Sequence, residues 1–280
     1  MPNQSEKALA FRALHERPGA FIIPNPWDAG TAKMLTALGF EALATTSLGF
    51  ANTLGEPDST VDRAATIANC HEIATATDLP VNADLENCFA HEPEAAAETI
   101  RLAADSGVVG GSIEDFTGDR SDPIYDFDMA VARVRAAVSV ARSLPFPFML
   151  TARAENLIRG RADMADTIRR LEAYEAAGAD VLYAPGLKTL SEVREVVSAI
   201  KRPFNIVTGG LDPDITASQL AEAGAKRISV GGALSRFVLA AFVDASRSMA
   251  DHGSFGWMRG MMATQEIRQM FARGNAGASS

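Results

Sequence analysis

The sequence predicts a single α/β domain in which eight parallel strands, each followed by a helix, close into a (β/α)8 TIM-type barrel. Short apolar runs alternate with longer Ala-rich segments of helical period, and the pair recurs eight times within the chain. Several helices end on a glycine that leads into the next strand, as at Gly107 and Gly178. No G-x-G-x-x-G motif follows the first strand, which disfavours an open dinucleotide-binding sheet. A chain of 280 residues with 47% hydrophobic residues suits one such barrel.

The predicted strands are apolar on both faces, as expected of strands that are covered inside and outside a barrel. They are Phe21–Pro24, Ala42–Thr46, Pro80–Asp84, Val108–Glu114, Phe146–Ala152, Val181–Ala184, Phe204–Thr208 and Arg227–Val230. The predicted helices that follow them are Ala29–Leu38, Val61–Thr77, Glu92–Ser106, Met129–Arg142, Met164–Ala177, Leu190–Ile200, Ala217–Ala223 and Leu234–Met249.

We expect the barrel to span residues 1–255. One further amphipathic helix, Gly256–Arg273, carries Met and Phe side chains at helical spacing, which is typical of core or subunit contacts. Because it follows a complete barrel, we expect it to contact a second subunit. Residues 274–280 are small and polar and are predicted to form a disordered tail.

The bulk composition excludes several classes of partner. A net charge of −9 and a pI near 5.0 argue against nucleic acid, which requires a basic surface. No apolar stretch reaches the roughly 18 residues that a membrane helix needs, and the N-terminus lacks the pattern of a secretory signal. Two cysteines, Cys70 and Cys88, are too few for a disulfide framework. These features together predict a cytoplasmic protein.

Charged side chains collect where neighbouring predicted strands end, which is where such barrels carry their catalytic groups. Asp84 and Glu86 end the third strand, Glu114 and Asp115 the fourth, and Arg153 the fifth. Converging carboxylates repel one another, and a hard divalent cation relieves that repulsion. The pattern therefore predicts a Mg2+ site, with Mn2+ as the alternative ion, and an arginine that binds a substrate carboxylate or one of these acids.

Other features leave alternatives open. Glycine pairs after the last two strands, Gly209–Gly210 and Gly231–Gly232, fit either a phosphate-binding cup or tight turns. Trp27 either lines the substrate pocket or packs against other side chains of the protein. Lys188 is expected on the surface, and Cys88 is expected to be a packed thiol. No histidine stands at a strand end, which disfavours a hydrolase triad.

Six stretches, in order along the chain, resemble the isocitrate lyase/phosphoenolpyruvate mutase superfamily over roughly residues 10–250. They are Trp-Asp-Ala-Gly-Thr-Ala (27–32), Leu-Gly-x-Pro-Asp (54–58), Leu-Pro-Val-x-Ala-Asp-x-Glu (79–86), Ile-Glu-Asp (113–115), Ala-Arg-x-Glu (152–155) and Ala-Tyr-x-x-Ala-Gly-Ala-Asp (173–180).

This resemblance implies roles for individual residues. Asp84 corresponds to the direct Mg2+ ligand, and Glu86 and Glu114 hold the ion through waters. Asp58 matches a catalytic acidic residue that faces the substrate, and Arg153 matches the substrate-binding arginine. The backbone N–H groups that hold a substrate carboxylate or enolate oxygen belong to a short turn, whose residues are Thr46, Ser47 and Leu48.

The chain also departs from the pattern of that superfamily. The Lys-Lys-Cys-Gly-His loop of isocitrate and methylisocitrate lyases is replaced by residues 116–125, which contain neither Cys nor His. The Lys-Thr-Asn loop of phosphonopyruvate-handling members is absent. Ala184 stands where several members have His or Glu, and Cys88-Phe89-Ala90 replaces a Gly-Tyr-Gly turn. Cleavage of isocitrate or methylisocitrate is therefore disfavoured.

The leading hypothesis is a Mg2+-dependent lyase or decarboxylase that cleaves a C–C bond of a small 2-oxo or 2-hydroxy (di)carboxylic acid through an enolate-like intermediate. The alternatives are a phosphoenolpyruvate phosphonomutase or phosphonopyruvate hydrolase, and a non-catalytic metabolite-binding barrel. We expect residues 116–127 to form a lid from which Arg120 contacts the substrate. The resemblance further implies a homodimer or homotetramer in which the C-terminal helix is exchanged between barrels.

Overall fold

The computed structural model describes residues 2–275, and it confirms the predicted barrel. Eight parallel strands lie in the order β1-β8-β7-β6-β5-β4-β3-β2. They are β1 (Phe21–Ile23), β2 (Leu43–Ala44), β3 (Val81–Ala83), β4 (Gly110–Glu114), β5 (Met149–Arg153), β6 (Val181–Tyr183), β7 (Phe204–Val207) and β8 (Arg227–Ser229). The amide of Ala44 donates to the carbonyl of Pro24 at 3.0 Å, and this bond joins β2 to the end of β1. Of the tail predicted for residues 274–280, residues 276–280 lie outside the described part of the chain.

The helices that follow the strands start and end within three residues of their predicted positions. They are α2 (Ala29–Ala37), α4 (Arg63–Ala76), α5 (Pro93–Asp105), α6 (Phe127–Ser143), α7 (Met164–Ala176), α8 (Leu190–Ala199), α9 (Ala217–Glu222) and α10 (Ala233–His252). Small buried side chains on α5 and α6, such as Ala97 and Ala137, allow these two helices to lie close against the sheet and against each other.

Two further helices were not predicted. Helix α1 (Gln4–Glu16) begins at a capping box in which Asn3 and Glu6 bond each other's backbone amides, a signal that is visible in the sequence. It buries Phe11 against Phe21 at the N-terminal end of the barrel. Helix α3 (Ser47–Leu54) follows β2 directly, so the residues predicted as a turn form the first turn of a helix instead.

The segment after the barrel is not the single helix that the sequence predicts. A short 3-10 helix covers Gly256–Gly260, and α11 begins later, at Thr264, and ends at Gly274. Glycines at both ends of the 3-10 turn explain the interruption, because glycine disfavours a continuous helix. Helix α11 packs on α2 of the same chain. Whether this segment also contacts a second subunit stays a prediction.

Helix α10 presents apolar side chains to solvent along its length. Phe237 is 75% exposed and Phe242 is 67% exposed, while Ser235 is the buried residue of the helix. Within residues 2–275, no helix is long and apolar enough to cross a bilayer.

Candidate active site

A cavity of about 180 Å³ opens where the strands end, and it continues down into the barrel. The predicted residues that line it lie just after β2, just after β3, at the end of β5 and on the loop after α3. They are Thr46, Ser47, Leu48, Asp58, Asp84 and Arg153. A larger cavity of about 650 Å³ lies at the opposite end of the barrel, beside α1, and none of the predicted site residues lines it.

Arg153 is the centre of the charged cluster at the mouth of the cavity. Its guanidinium pairs with three carboxylates: Asp84 at 3.0 Å, Glu114 at 3.1 Å and Glu155 at 2.6 Å. It also lies 4.7 Å from the centre of the Tyr183 ring. Burial alone would lower the pKa of Arg153, but Glu155 and Glu114 raise that pKa well above its ordinary value. This guanidinium is therefore permanently charged.

The carboxylates at the mouth carry more negative charge than the neighbouring arginines balance. Burial and the nearby charges of Asp84 and Asp58 raise the pKa of Glu86 to about 7. Burial and Glu155 raise the pKa of Glu114 well above its ordinary value. Asp58 stands at the outer rim, where partial burial and Asp84 raise its pKa. Each of these shifts includes repulsion by a second carboxylate.

A divalent cation fits this donor set in one way. In residues 2–275, no three acidic, His or Cys side chains converge closely enough to form a complete ligand shell. Arg153 lies between Asp84 and Glu114. Mg2+ commonly retains several waters and takes only one or two carboxylates directly. The arrangement therefore suits an ion held directly by Asp84, and the unbalanced charge favours such an ion. Glu86 and Glu114 do not line the cavity, and their contact with an ion through water stays a prediction.

Asp84 is held in place by three hydrogen bonds, two to its carboxylate and one from its backbone amide. Ser47 donates its amide to Oδ2 at 3.0 Å, and Arg153 donates to Oδ1 at 3.0 Å. The backbone amide of Asp84 donates to the hydroxyl oxygen of Thr45 at 2.8 Å. These contacts join the ends of β2, β3 and β5, so the acid is oriented before any ligand arrives.

Helix α3 points its N-terminus at the same cavity. Thr46 is the N-cap, and its hydroxyl accepts from the amide of Gly49 at 3.2 Å. The first amides of a helix have no partner within the helix, and they carry the positive end of its dipole. The amide of Ser47 donates to Asp84. Leu48, which also belongs to the first turn, lines the cavity, and its N–H is available to a ligand. The helix start thus provides the anion-binding backbone that was predicted as a turn.

The loop after β3 has an unusual backbone path. Glu86, Cys88 and Phe89 have φ values of 49°, 59° and 56°, a left-handed conformation that is unfavourable for residues other than glycine. Arg133 of α6 holds this loop by donating to the backbone carbonyls of Asn87, Ala90 and His91. Backbone strain that the surrounding structure maintains is common at functional sites, and here it lies next to Asp84.

Asp115 has a structural role. It accepts from the Tyr174 hydroxyl at 2.6 Å, from Arg170 at 3.1 Å and from the amide of Glu155 at 2.7 Å. It thereby joins the end of β4 to α7 and sets the path of the chain after β5.

Two predicted substrate contacts do not line the cavity. Trp27 lies outside the cavity lining, with its Cβ close to Gly49. Arg120 lies exposed in the loop 117–123, away from the cavity lining. That loop is closed at its base by a bridge between Phe116 and Ile124, so only its tip projects.

The geometry bears on some of the other residues left open by the sequence. The amides of Val230 and Gly231 donate to the side chain of Asn25 at 3.0 and 2.9 Å, which favours a tight turn over a phosphate cup. Lys188 is exposed, as predicted. Cys88 is fully buried, and burial raises the pKa of its thiol to about 12, as suits a packed side chain.

The sequence reasoning missed polar residues inside the barrel. Asn82, Tyr183, Asn205 and Arg227 line the lower part of the cavity. Asn82, Tyr183 and Asn205 each stand in a strand between apolar neighbours, and that isolation is the signal that could have identified them. Arg227 follows Lys226 and has no such signal. A further missed cation, Arg159, contacts Glu155 at 3.3 Å beside the mouth.

Comparison with known proteins agrees with this geometry. The family model described as phosphoenolpyruvate phosphomutase matches residues 11–250. A solved structure from Burkholderia cenocepacia J2315, named only as a provisional lyase/mutase, is 53% identical and superposes with a TM-score of 0.93 over 96% of both chains.

Two relatives carry the name of a substrate. The oxaloacetate decarboxylase of Bradyrhizobium diazoefficiens is 27% identical over 238 residues, which cover 80% of each chain. The structure of an oxaloacetate acetylhydrolase with its product oxalate is 26% identical, with a TM-score of 0.87 over 99% of this chain and 97% of the other. The chain therefore belongs to the isocitrate lyase/phosphoenolpyruvate mutase superfamily.

Proposed function

We propose that this protein is a Mg2+-dependent lyase or decarboxylase that cleaves a C–C bond next to the 2-oxo or 2-hydroxy group of a small carboxylic acid. The observation that supports it most strongly is the mouth of the cavity, where Arg153 and the N-terminus of α3 both approach Asp84. A cation held at Asp84 would supply Lewis-acid stabilisation of the negative charge that develops when the bond breaks.

The residues around the cavity have distinct tasks in this proposal. Arg153 binds the carboxylate of the substrate, because its guanidinium is charged and is held in position by three carboxylates. The N–H group of Leu48, at the start of α3, stabilises the enolate-like oxygen, while the amide of Ser47 orients Asp84. Preorganised donors are effective here because their orientation costs nothing at the moment of reaction.

A proton must return to the carbon after cleavage, and Asp58 is the best-placed group. It stands on the loop after α3 at the rim of the cavity, and burial and the charge of Asp84 raise its pKa, which favours a carboxyl that can hold and return a proton. Glu114 is less accessible, because it is buried and bonded to Arg153. Its task is to fix that guanidinium.

The charge of the loop after β4 favours C–C over P–C chemistry in a protein whose loop closes over the site. A transferring phosphoryl group spreads charge over several oxygens and needs several cations. The loop after β4 carries three acids, Asp119, Asp122 and Asp126, against the single cation Arg120. Arg159, the additional arginine at the mouth, is already engaged with Glu155. The relatives named for oxaloacetate chemistry point the same way.

The test is a comparison of turnover with Mg2+ for oxaloacetate and 2-alkyl malates against phosphonopyruvate. We expect the carbon substrates to have the higher kcat/KM. A preference for phosphonopyruvate of tenfold or more, about 1.4 kcal/mol in transition-state free energy, would reverse the assignment. If no member of the panel is turned over while oxalate still binds with Mg2+, the protein is a binding barrel and the proposed activity is wrong.

A further inference from the structure

A second arginine lies inside the barrel, below the charged cluster. Arg227 is the first residue of β8, and only 3% of it is exposed. Its Nε donates to Oδ1 of Asn205 at 2.7 Å, and its Nη2 donates to the hydroxyl of Thr151 at 3.0 Å. Both partners are neutral.

This guanidinium lacks a counter-ion among the described residues. Its Nη1 is buried without a hydrogen-bond partner in that part of the chain, and no carboxylate there pairs with it. The nearest charged group toward the mouth is Arg153, which repels it. Burial, with a smaller effect of Arg153, lowers the pKa of Arg227 to about 9, which still leaves it charged at neutral pH. A buried charge of this kind is unfavourable unless an anion joins it.

The cavity that begins at Asp84 and Arg153 reaches this group. Arg227 and Asn205 line the same cavity of about 180 Å³, so a ligand bound at the mouth can extend toward them. Thr151, the partner of Arg227, precedes Arg153 by two residues on β5. A strand rises about 3.3 Å per residue, so Thr151, which binds Arg227, and Arg153 lie roughly 6.6 Å apart along β5. A short carbon chain spans that distance.

We propose that Arg227 forms a second anion subsite that binds the distal carboxylate of the substrate, so that the protein selects small dicarboxylates over monocarboxylates of equal length. The inference rests on the proposed function, because it specifies the substrate class of that same site. Arg153 takes the carboxylate beside the reacting carbon, and Arg227 takes the one at the far end.

The surroundings of Arg227 are preorganised for this task. Asn205 is itself fixed by donating from Nδ2 to the hydroxyl of Ser229 at 3.1 Å. Two of the three guanidinium nitrogens of Arg227 are therefore held, and Nη1 is left without a partner among the described residues. Asn82 lines the cavity too, and its Oδ1 has no partner within residues 2–275. It can accept a hydrogen bond from a substrate hydroxyl. The volume is below the roughly 300–1,000 Å³ of sites for larger ligands, which excludes bulky acids.

Binding to the protein with Mg2+, measured by titration calorimetry, tests the subsite without requiring turnover. The probes are malate and 2-hydroxybutyrate, which differ by a carboxylate in place of a methyl group, and oxalate, which is too short to reach Arg227. We expect malate to bind the wild-type protein at least tenfold more tightly than 2-hydroxybutyrate. In Arg227→Gln this difference should fall below threefold while the affinity for oxalate stays within threefold of wild type.

Several results would overturn the subsite. Equal affinities for malate and 2-hydroxybutyrate in the wild-type protein would do so, as would equal losses of oxalate and malate binding in Arg227→Gln. Tight, Arg227-dependent binding of phosphonopyruvate with no binding of malate would assign the pocket to a phosphonate instead. If Arg227→Gln does not fold, Arg227→Lys and the wild-type comparison decide. Selective malate binding without any lyase turnover would uphold the subsite and refute the proposed function, so the two failures are distinguishable.

Discussion

Nη1 of Arg153 donates to Oδ1 of Asp84 across 3.0 Å, and this bond connects the end of β5 to the end of β3. The predicted metal ligand and the predicted substrate-binding arginine are therefore parts of one unit. A change in either residue alters the orientation of the other.

The first prediction concerns Asp84→Asn. The substitution keeps the shape but removes the charge that attracts a cation and pairs with Arg153, so Mg2+-dependent turnover should fall by more than ~100-fold. Oxalate binding with Mg2+ should be lost, while circular dichroism and the thermal midpoint stay close to wild type. Asp105→Asn, on the surface of α5, is the matched control and should leave activity unchanged. Near-normal turnover of Asp84→Asn would mean that the cluster is structural.

The second prediction concerns pH and His15. Burial and, to a lesser extent, Arg227 lower the pKa of His15 to about 3, so the folded protein keeps this ring neutral. The unfolded chain protonates it near pH 6.5. Its contribution to stability is complete above that pH and is lost as the pH falls toward about 3.

Urea unfolding of the wild type and of His15→Phe checks this. Between pH 7.5 and 5.5 the free energy of unfolding of the wild type should fall by about 1.4 kcal/mol more than that of the variant. His252→Phe, at the exposed end of α10, should follow the wild-type curve. Parallel curves for all three proteins would show that His15 titrates normally.

The third prediction concerns the loop tip 117–123. Its base is fixed by the Phe116–Ile124 bridge, and Asp122 pairs with Arg161 at 2.8 Å, whereas Arg120 is exposed. If the tip closes over a bound ligand, oxalate with Mg2+ should slow tryptic cleavage after Arg120 several-fold. Arg120→Gln removes this site and identifies the fragment. Identical cleavage rates with and without ligand would contradict a lid.

The fourth prediction concerns assembly. Two phenylalanines of α10, Phe237 and Phe242, are largely exposed, and such apolar surface is typical of an interface. We propose that a second copy of this chain covers them, since burying each ring contributes about 1.5–3 kcal/mol. Light scattering should give a dimer or a tetramer at micromolar concentration.

A matched pair of variants tests that interface. Replacing both Phe237 and Phe242 by Asp should reduce the measured mass to that of a monomer. Leu9→Asp, on the exposed side of α1 with 57% exposure, should leave it unchanged. A wild-type protein that is monomeric throughout would refute the prediction.

The sequence by itself determined the architecture and the upper half of the site. Strand and helix periodicity marks each βα unit, and charged residues directly after apolar strands are recognisable without coordinates, as at Asp84 and Arg153. Parallel strands in a barrel all end on one face, so local order along the chain was enough to bring these residues together.

Only the tertiary structure decided the lower half of the site and the fate of the loops. Arg227 of β8 donates to Thr151 of β5, a residue more than fifty positions away, and such a contact across a barrel leaves no local trace in the sequence. For the same reason Trp27 and Arg120, which follow the right strands, do not line the cavity. Their side-chain directions depend on what packs against them, and that is decided by contacts distant in the chain.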